Sequence, residues 1–167
     1  MSGAFGGGSG SMTNTNYKNL YYQDISNTNT QGIHGTDYTD AINILANRDD
    51  FRYNLISTPG LALINADHAT PLNLLTSNTE NRGDNIIVMD LVNYSSTVLQ
   101  VGQQAASMDS SYVATYWPWL QITDPDTRQL CWVPASTMIP GVYAYNDKAG
   151  EAWFAPAGIN RGGLGSV

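Results

Sequence analysis

The chain contains 167 residues with a mass of 18.1 kDa, a length typical of one domain with a single hydrophobic core. Fourteen acidic residues against seven basic ones give a net charge of −7, and no cluster of Lys or Arg could neutralise a run of phosphates, so we expect no nucleic-acid partner. No apolar run approaches the roughly 20 residues that a membrane span needs, and no charged and then apolar leader begins the chain, so we expect a soluble protein without membrane insertion.

The scarcity of charged residues bears on association. Charged residues make up 13% of the chain, about half of the ~25% that is typical of soluble domains. Much of the surface is therefore polar but uncharged. Because charged side chains are costly to desolvate at an interface, a surface poor in them favours assembly.

The first 35 residues differ in composition from the rest of the chain. They are rich in Gly, Ser, Thr and Asn, and such a segment buries too little apolar surface to offset the entropy lost on ordering. Within them, Tyr17–Ile25 could form one short strand or a packed arm. We expect a flexible segment over residues 1–35, an α/β domain over 36–164 and a short C-terminal end over 165–167.

Hydrophobic periodicity predicts alternating helices and strands after Thr36. Tyr38, Ala41 and Ile42 recur at helical spacing, whereas the continuous apolar run over 86–92 is typical of a parallel strand that is covered on both faces. The predicted elements are a helix over 37–47 capped by Thr36, a strand over 51–58 closed by Pro59-Gly60, a helix over 69–81, a strand over 86–92, a helix over 98–108 capped by Ser95 or Ser96, an aromatic strand over 112–123, its hairpin partner over 128–133, and a last helix opened by 134–136.

The order of these elements predicts the fold class. Alternation of strands and helices favours a three-layer α/β sandwich with a mostly parallel sheet and helices on both faces. The turn signal Asp124-Pro125-Asp126-Thr127 adds one antiparallel hairpin strand.

The inventory of catalytic side chains is small. His34 and His68 lie in polar segments with no second His or Cys at metal-ligand spacing, so we expect structural histidines, with His68 beside Asp67 the stronger candidate for chemistry. No Gly-x-Ser-x-Gly elbow occurs in the chain. Cys131 lies in an apolar run, has no second cysteine for an internal disulfide, and is predicted to be a buried thiol. We therefore predict no catalytic, metal-binding or cofactor-binding residue, no cofactor and no enzyme activity.

Other polar motifs have simple structural interpretations. Asp109, Asp124 and Asp126 could form an acid pair or a cation site, but turn formation and helix capping explain them more simply. The run Gly6–Gly10 follows no strand and lacks the Gly-Lys-Ser/Thr ending of a phosphate loop, so it is interpreted as a linker. In Arg82-Gly83-Asp84, which matches an integrin-binding tripeptide, Gly83 fits the C-terminal cap of a helix.

Aromatic residues concentrate in the second half of the chain. They could stack on bases or sugars, but without basic neighbours a core and subunit interface is the favoured interpretation. The set comprises Tyr112, Tyr116, Trp117, Trp119 and Trp132.

A succession of short motifs in the same half carries a family resemblance. Together, in this order and spacing, they resemble the tail sheath proteins of contractile-tailed bacteriophages and related contractile particles. With the upstream pairs of helix and strand, the resemblance covers roughly residues 35–164. The motifs are Asp109-Ser110-Ser111-Tyr112, Tyr116-Trp117-Pro118-Trp119, an Asp-Pro turn, Trp132-Val133-Pro134, Pro140-Gly141-Val142-Tyr143-Ala144, Asp147, and Trp153 to Gly163.

The resemblance implies an α/β domain similar to subtilisin in fold but without its triad, and hence a structural protein. Sheath subunits form a helical tube around an inner tail tube and contract to drive that tube through a cell envelope. The implied partners are other sheath subunits, the inner tail tube, the baseplate and the tail terminator. The implied location is the virion, after synthesis in the host bacterial cytoplasm. Contraction would be a rigid-body rearrangement of subunits in an open array.

Known sheath proteins are considerably longer and continue into a C-terminal region that supplies inner-tube contacts and strand exchange. We therefore expect a fragment that holds the body of the subunit and ends in a truncation at 165–167. Two alternatives stay open: a small α/β hydrolase or carbohydrate-binding module that uses residues 112–122 and His68, and a sheath-like protein of a bacterial injection particle. The structural and interface candidates are Trp117, Trp119, Trp132 and Trp153, which are expected to seal the sheet, together with Asn160 and Arg161.

Overall fold

A three-stranded parallel sheet with β2 at its centre organises the fold. The computed structural model describes residues 25–28, 34–151 and 153–165. The elements in chain order are α1 (Asp37–Leu45), β1 (Leu55–Ala62), α2 (Ala66–Arg82), β2 (Ile86–Asp90), α3 (Val98–Ser107), β3 (Val113–Thr115), β4 (Leu120–Thr123), β5 (Leu130–Val133), a 3₁₀ helix (Ala135–Thr137) and α4 (Ile139–Ala149).

The apolar run of β2 supplies both halves of the core. Ile87 and Met89 pack on one face of the sheet in a cluster that includes residues of α1 and α2 and is contacted by α3. Val88 packs on the other face against the 3₁₀ helix and Ile139 of α4. Side chains alternate along a strand, so a strand that is apolar at every position is buried on both sides. The predicted α/β fold with helices on both faces is confirmed.

The predicted aromatic strand over 112–123 is wrong in its extent. β3 ends at Thr115, and β4 begins at Leu120 in a separate two-stranded antiparallel sheet with β5. Pro118 lies between them after a cis peptide bond and has no N–H to donate to a ladder. The predicted hairpin partner is confirmed, but it pairs outside the parallel sheet.

The start and end of β1 also differ from the prediction. Pro59 and Gly60 were expected to close a strand over 51–58, yet both lie inside β1. The pairing with β2 becomes irregular between Ser57 and Ala62, and Gly60 adopts a φ of 97° there. Glycine reaches that backbone region without the steric cost of a Cβ, so the sequence signal marked an irregularity within the strand and not its end.

Helix caps were predicted with mixed success. Gly83 ends α2 with a φ of 68°, and its N–H donates to the carbonyl oxygen of Thr79 at 2.8 Å, as predicted. The side chain of Thr36 makes no capping hydrogen bond. α3 is capped by Thr97 and not by either preceding serine: Thr97 Oγ1 accepts from the N–H of Gln100, and Gln100 Oε1 accepts from the N–H of Thr97. This reciprocal pair is a capping box.

Residues 25–28 pack near the start of α2, upstream of the predicted beginning of order at Thr36. Asp67 Oδ2 accepts hydrogen bonds from Ser26 Oγ at 2.8 Å and from the N–H of Asn27 at 3.0 Å. Most of the predicted flexible segment and of the predicted arm at 17–25 lies outside the described residues. Among those that are described, no helix has the length and apolarity needed to cross a membrane.

Candidate functional site

His68 is buried in the first turns of α2, and both of its ring nitrogens bond to the backbone. Nδ1 accepts from the N–H of Ala62 at 3.1 Å, so Nε2 carries the proton and donates to the carbonyl oxygen of Ile25 at 2.8 Å. These two bonds tie β1 and the segment 25–28 to α2. The side chain has a structural role in this arrangement, because a general base needs a free nitrogen near the reacting proton.

Asp90 and Ser136 form a polar pair in which both residues are buried. Asp90 ends β2, and its carboxylate accepts from the N–H of Ser136 at 3.2 Å and from the hydroxyl of Ser136. Burial raises the pKa of Asp90 to about 6, although both hydrogen bonds from Ser136 act to lower it. Ser57 Oγ on β1 donates to the carbonyl oxygen of Ser136 at 2.9 Å. The 3₁₀ helix is thereby fastened to two neighbouring strands.

The position of this pair invites a catalytic interpretation, since the carboxyl ends of parallel strands are where α/β proteins bind ligands. Ser136 is only 1% exposed, however, and no hydrogen bond joins it to a histidine. A nucleophile needs both access and an activating base. Sequence reasoning missed the pair, although an acidic residue at the end of a buried apolar strand was a usable signal. The predicted last helix begins here as a 3₁₀ turn, and α4 starts only at Ile139.

The other acidic candidates are not brought together into a site. Asp124 accepts from Thr127 Oγ1 at 2.6 Å and from the N–H of Asp126 at 3.0 Å, and the first of these bonds is the main reason that its pKa is lowered. This confirms the turn interpretation. Asp109 is exposed. Within the described ranges, no group of three or more His, Cys, Asp or Glu residues is arranged to hold a metal ion.

Arg82 of the tripeptide faces inward. Its side chain is 3% exposed and donates to both carboxylate oxygens of Asp84 at 2.9 and 3.0 Å. It also donates to the carbonyl oxygens of Leu45 and Phe51 at 2.7 and 3.0 Å. Its guanidinium also lies 4.4 Å from the centre of the Tyr53 ring. A buried arginine with these partners holds the segment after α1 against the end of α2. It is not presented to a receptor.

The tryptophans differ in exposure, from the buried Trp119 through the half-buried Trp132 to the exposed Trp117 and Trp153. Trp119 is buried, donates from Nε1 to the carbonyl oxygen of Val92 at 3.3 Å, and meets the ring of Tyr94 edge to face. Trp132 contacts the same tyrosine ring, with centroids 5.1 Å apart. Trp117 and Trp153 are exposed, so the expectation that four tryptophans seal the sheet is wrong for these two.

The aromatic residues do not form one ligand platform. Tyr116 hydrogen-bonds through its hydroxyl to the hydroxyl of Tyr143 on α4, and burial followed by that contact raises the pKa of Tyr143. Trp119 turns instead toward the interior. A cavity of about 140 Å³ lies between them, under Val101 of α3, and its lining is mostly apolar. Pockets for drug-sized ligands measure roughly 300–1,000 Å³. Cys131, expected to be buried, is only half-buried.

The last motif, residues 153–165, packs beside α4. Asn146 Nδ2 donates to the carbonyl oxygen of Phe154 at 2.8 Å, and the guanidinium of Arg161 lies 4.7 Å from the centre of the Phe154 ring. The turn at Gly162 is tight: its N–H donates to the carbonyl oxygen of Gly158 at 2.8 Å, and a Cβ there would approach Pro156 O to 2.9 Å. These contacts fix the segment on the helix.

An open groove of about 610 Å³ separates α4 from the end of this segment. We call it the tail groove. Ile159, which lines the groove, is 96% exposed, and Trp153 is 78% exposed elsewhere in the same segment. The predicted interface residue Asn160 also lines the groove, whereas Arg161 is half-buried against Phe154. The lining side chains are Met138, Val142, Tyr145, Ile159, Asn160 and Leu164.

A second exposed apolar surface lies at the start of α3. Val98 and Leu99 are each 71% exposed, and no residue of this helix is fully buried. We call these two residues the α3 corner. The helix contacts the sheet through Val101, which leaves the corner pointing away from the core. Large exposed apolar surfaces on a folded domain mark interaction sites.

Comparison with protein-family models gives no match for this chain, and comparison with curated protein sequences gives no significant match.

Proposed function

We propose that this chain is a structural subunit of a contractile tail sheath, which polymerises helically around an inner tail tube and contracts to drive it through a host cell envelope. The proposal rests on the ordered motifs that resemble that family. The observation that carries it is that the last of these motifs builds an exposed apolar groove on a rigid α/β body.

The distribution of apolar surface supports a subunit that functions in an assembly. The tail groove, the segment 153–165 that forms one of its walls and the α3 corner together expose six large apolar side chains, although the chain has few charged residues to disfavour association. Isolated exposed hydrophobic residues need no explanation, but contiguous ones favour an interface. The six are Val98, Leu99, Tyr145, Trp153, Phe154 and Ile159.

The rigid body of the subunit also supports this proposal. Asp90 and Ser136, Arg82 and Asp84, and His68 with its backbone partners lock the elements to one another through buried polar contacts. Rearrangement of rigid subunits against one another requires that the interior of each one stays intact.

The alternative of a hydrolase or a carbohydrate-binding module has less support. His68 has both ring nitrogens engaged, and the hydroxyl of Ser110 donates to Glu80 at 2.6 Å. The aromatic segment is divided between two sheets. Neither arrangement supplies a nucleophile with its base, or a row of rings on which sugars could stack.

Electron microscopy tests the proposal directly. Antibodies raised against the purified chain are expected to label the outer cylinder of contractile particles along its whole length, in both extended and contracted forms. Labelling confined to the inner tube or the baseplate, or no labelling of any tail, would contradict a sheath subunit.

An activity assay tests the alternative. We expect no turnover of generic esters or peptides, and no change of tryptophan fluorescence on titration with oligosaccharides. Turnover that disappears in His68→Gln or Ser110→Ala would refute the structural proposal in favour of an enzyme. A saturable fluorescence change that disappears in Trp117→Ala would favour a carbohydrate-binding module.

A further inference from the structure

We infer that neighbouring copies of this chain meet through a heterologous contact in which the α3 corner of one copy enters the tail groove of the next. This inference rests on the proposed function, because it names the surfaces that would join adjacent subunits of the array.

Charge is the first argument for pairing these two surfaces. α3 contains no charged residue over its ten positions, and among the described residues no charged side chain lines the tail groove. The chain as a whole carries a net charge of −7, so two copies repel each other wherever their acidic surfaces approach. A contact between two uncharged apolar patches avoids both this repulsion and the desolvation of charged side chains.

Geometry is the second argument. The α3 corner belongs to a helix that packs on the Ile87 and Met89 face of the sheet, whereas α4 packs on the Val88 face. The two surfaces therefore lie on opposite sides of the sheet, and one copy can use both at the same time. A head-to-tail contact of this kind generates a closed ring or an open helical array, according to the rotation between successive copies, and the proposed sheath requires the open array.

Shape is the third argument. Val98 and Leu99 are adjacent aliphatic side chains that project from the first turn of a helix, and the groove has a volume of about 610 Å³. A projecting helix turn in an apolar groove is a recurrent mode of recognition. The rim of the groove carries Tyr145 and Ile159, which could close around the two inserted side chains.

The available area sets the expected strength of the contact. Tyr145, which lines the groove, is 55% exposed and at ~150–250 Å² per aromatic side chain offers roughly 110 Å², and Ile159 is 96% exposed beside it. A stable interface buries about 800 Å² on each partner. We therefore expect an isolated pair to dissociate readily, with association strengthened only where each copy has neighbours on both sides.

Cysteine cross-linking tests the contact. In a Cys131→Ser background, the single variants Leu99→Cys and Ile159→Cys are mixed in equal amounts and oxidised at increasing protein concentration. We expect the mixed dimer to exceed either homodimer at least fivefold, and the double variant to form a ladder of oligomers. Gln103→Cys, an exposed position on α3 outside the corner, replaces Leu99→Cys as the matched control and should cross-link no faster than random collision.

Each other outcome is informative. A dominant Leu99→Cys homodimer would overturn the heterologous contact. Slow labelling of Leu99→Cys by a thiol reagent in the monomer would also overturn it, because it would show that another part of the same chain covers the α3 corner. Antibody labelling of a sheath without the mixed cross-link would retain the proposed function and refute this contact. The mixed cross-link without sheath labelling would support the contact and contradict the sheath.

Discussion

Asp90 and Ser136 join the end of the central strand to the 3₁₀ helix across 46 positions of sequence, through a backbone N–H and a hydroxyl that both donate to one buried carboxylate. The carboxylate is 4% exposed. Hydrogen bonds from a single residue compensate only part of the cost of burying a charge, and the raised pKa of Asp90 is the consequence. We therefore expect this pair to make the free energy of unfolding depend on pH.

The first prediction concerns that pH dependence. The pKa of Asp90 is raised from 3.8 to about 6 on folding, so the protonated form is favoured in the folded state. Its contribution to stability is fully present below pH 3.8 and is lost as the pH rises through about 6. Between pH 4 and pH 7 this group should lower the free energy of unfolding by about 2 kcal/mol. Urea unfolding across this range measures the loss.

Asp90→Asn is the matching variant. An amide can accept from the N–H of Ser136 and donate to its hydroxyl, so it keeps both hydrogen bonds without a charge. We expect a flatter dependence on pH and a stability at pH 7 that equals or exceeds that of the wild type. Asp109→Asn, at an exposed position, should leave the slope unchanged. Equal slopes for the wild type and Asp90→Asn would show that Asp90 does not control the pH dependence.

The second prediction concerns the hydroxyl of Ser136. Ser136→Ala leaves one oxygen of Asp90 buried without its donor, and we expect a loss of about 1–3 kcal/mol in the free energy of unfolding at pH 7. The pKa of Asp90 should rise further, because one of the bonds that lowers it is gone. Combining Ser136→Ala with Asp90→Asn should cost less than the sum of the two single changes, since the residues interact directly. Additive effects would contradict a coupled pair.

The third prediction concerns Arg82. Arg82→Ala removes the partner of Asp84 and leaves the carbonyl oxygens of Leu45 and Phe51 without donors, so we expect a loss of about 3 kcal/mol in chemical denaturation. Arg82→Lys should recover only part of this, because an ammonium lacks the planar fork that reaches several acceptors. Arg52→Ala, at an exposed position, should change stability by less than about 0.5 kcal/mol. A neutral Arg82→Ala variant would be inconsistent with these contacts.

The fourth prediction concerns the accessibility of the tryptophans. Trp153 is largely exposed, whereas Trp119 is only 7% exposed. Iodide should therefore quench the fluorescence of Trp153. This quenched component should be absent from the Trp153→Phe variant and present in the Trp119→Phe variant. Loss of quenching in the Trp119→Phe variant would contradict the orientation of these rings. Quenching of Trp153 that disappears at high protein concentration would indicate that association covers this surface.

Local patterns were sufficient for the elements whose own residues carry a distinct signal. The nearly unbroken apolar run over 86–92 predicted the central strand, because a strand that is buried on both faces shows no alternation of polar and apolar residues. Gly83 predicted a helix end, because glycine readily adopts the left-handed backbone conformation that is found there. Pro59-Gly60 was misleading, since the same residues that end strands also mark irregularities inside them. The division of the aromatic segment at Pro118 required knowledge of which strands pair.

The candidate surfaces were less accessible to sequence reasoning. Trp117 and Trp153 were grouped with Trp119 because composition alone does not indicate which large aromatic side chains meet a partner within the chain. Val98 and Leu99 of the α3 corner were correctly predicted to be helical, but their exposure was not predicted, because their spacing fits the apolar face that a helix turns toward a core. The acidic residue at the end of the apolar run was visible in the sequence, but its pairing with Ser136 depends on a tertiary contact that the sequence does not show.

The attachment of residues 153–165 has a mechanical consequence. A force that pulls on this segment passes first to α4, through the amide of Asn146 and the carbonyl of Phe154. From α4 it reaches the sheet at two separate points: the hydroxyl contact of Tyr143 with Tyr116 just beyond β3, and the apolar contact of Ile139 with Val88 on β2. Two attachment points resist rotation as well as displacement, so we expect the segment and the sheet to move as one rigid unit.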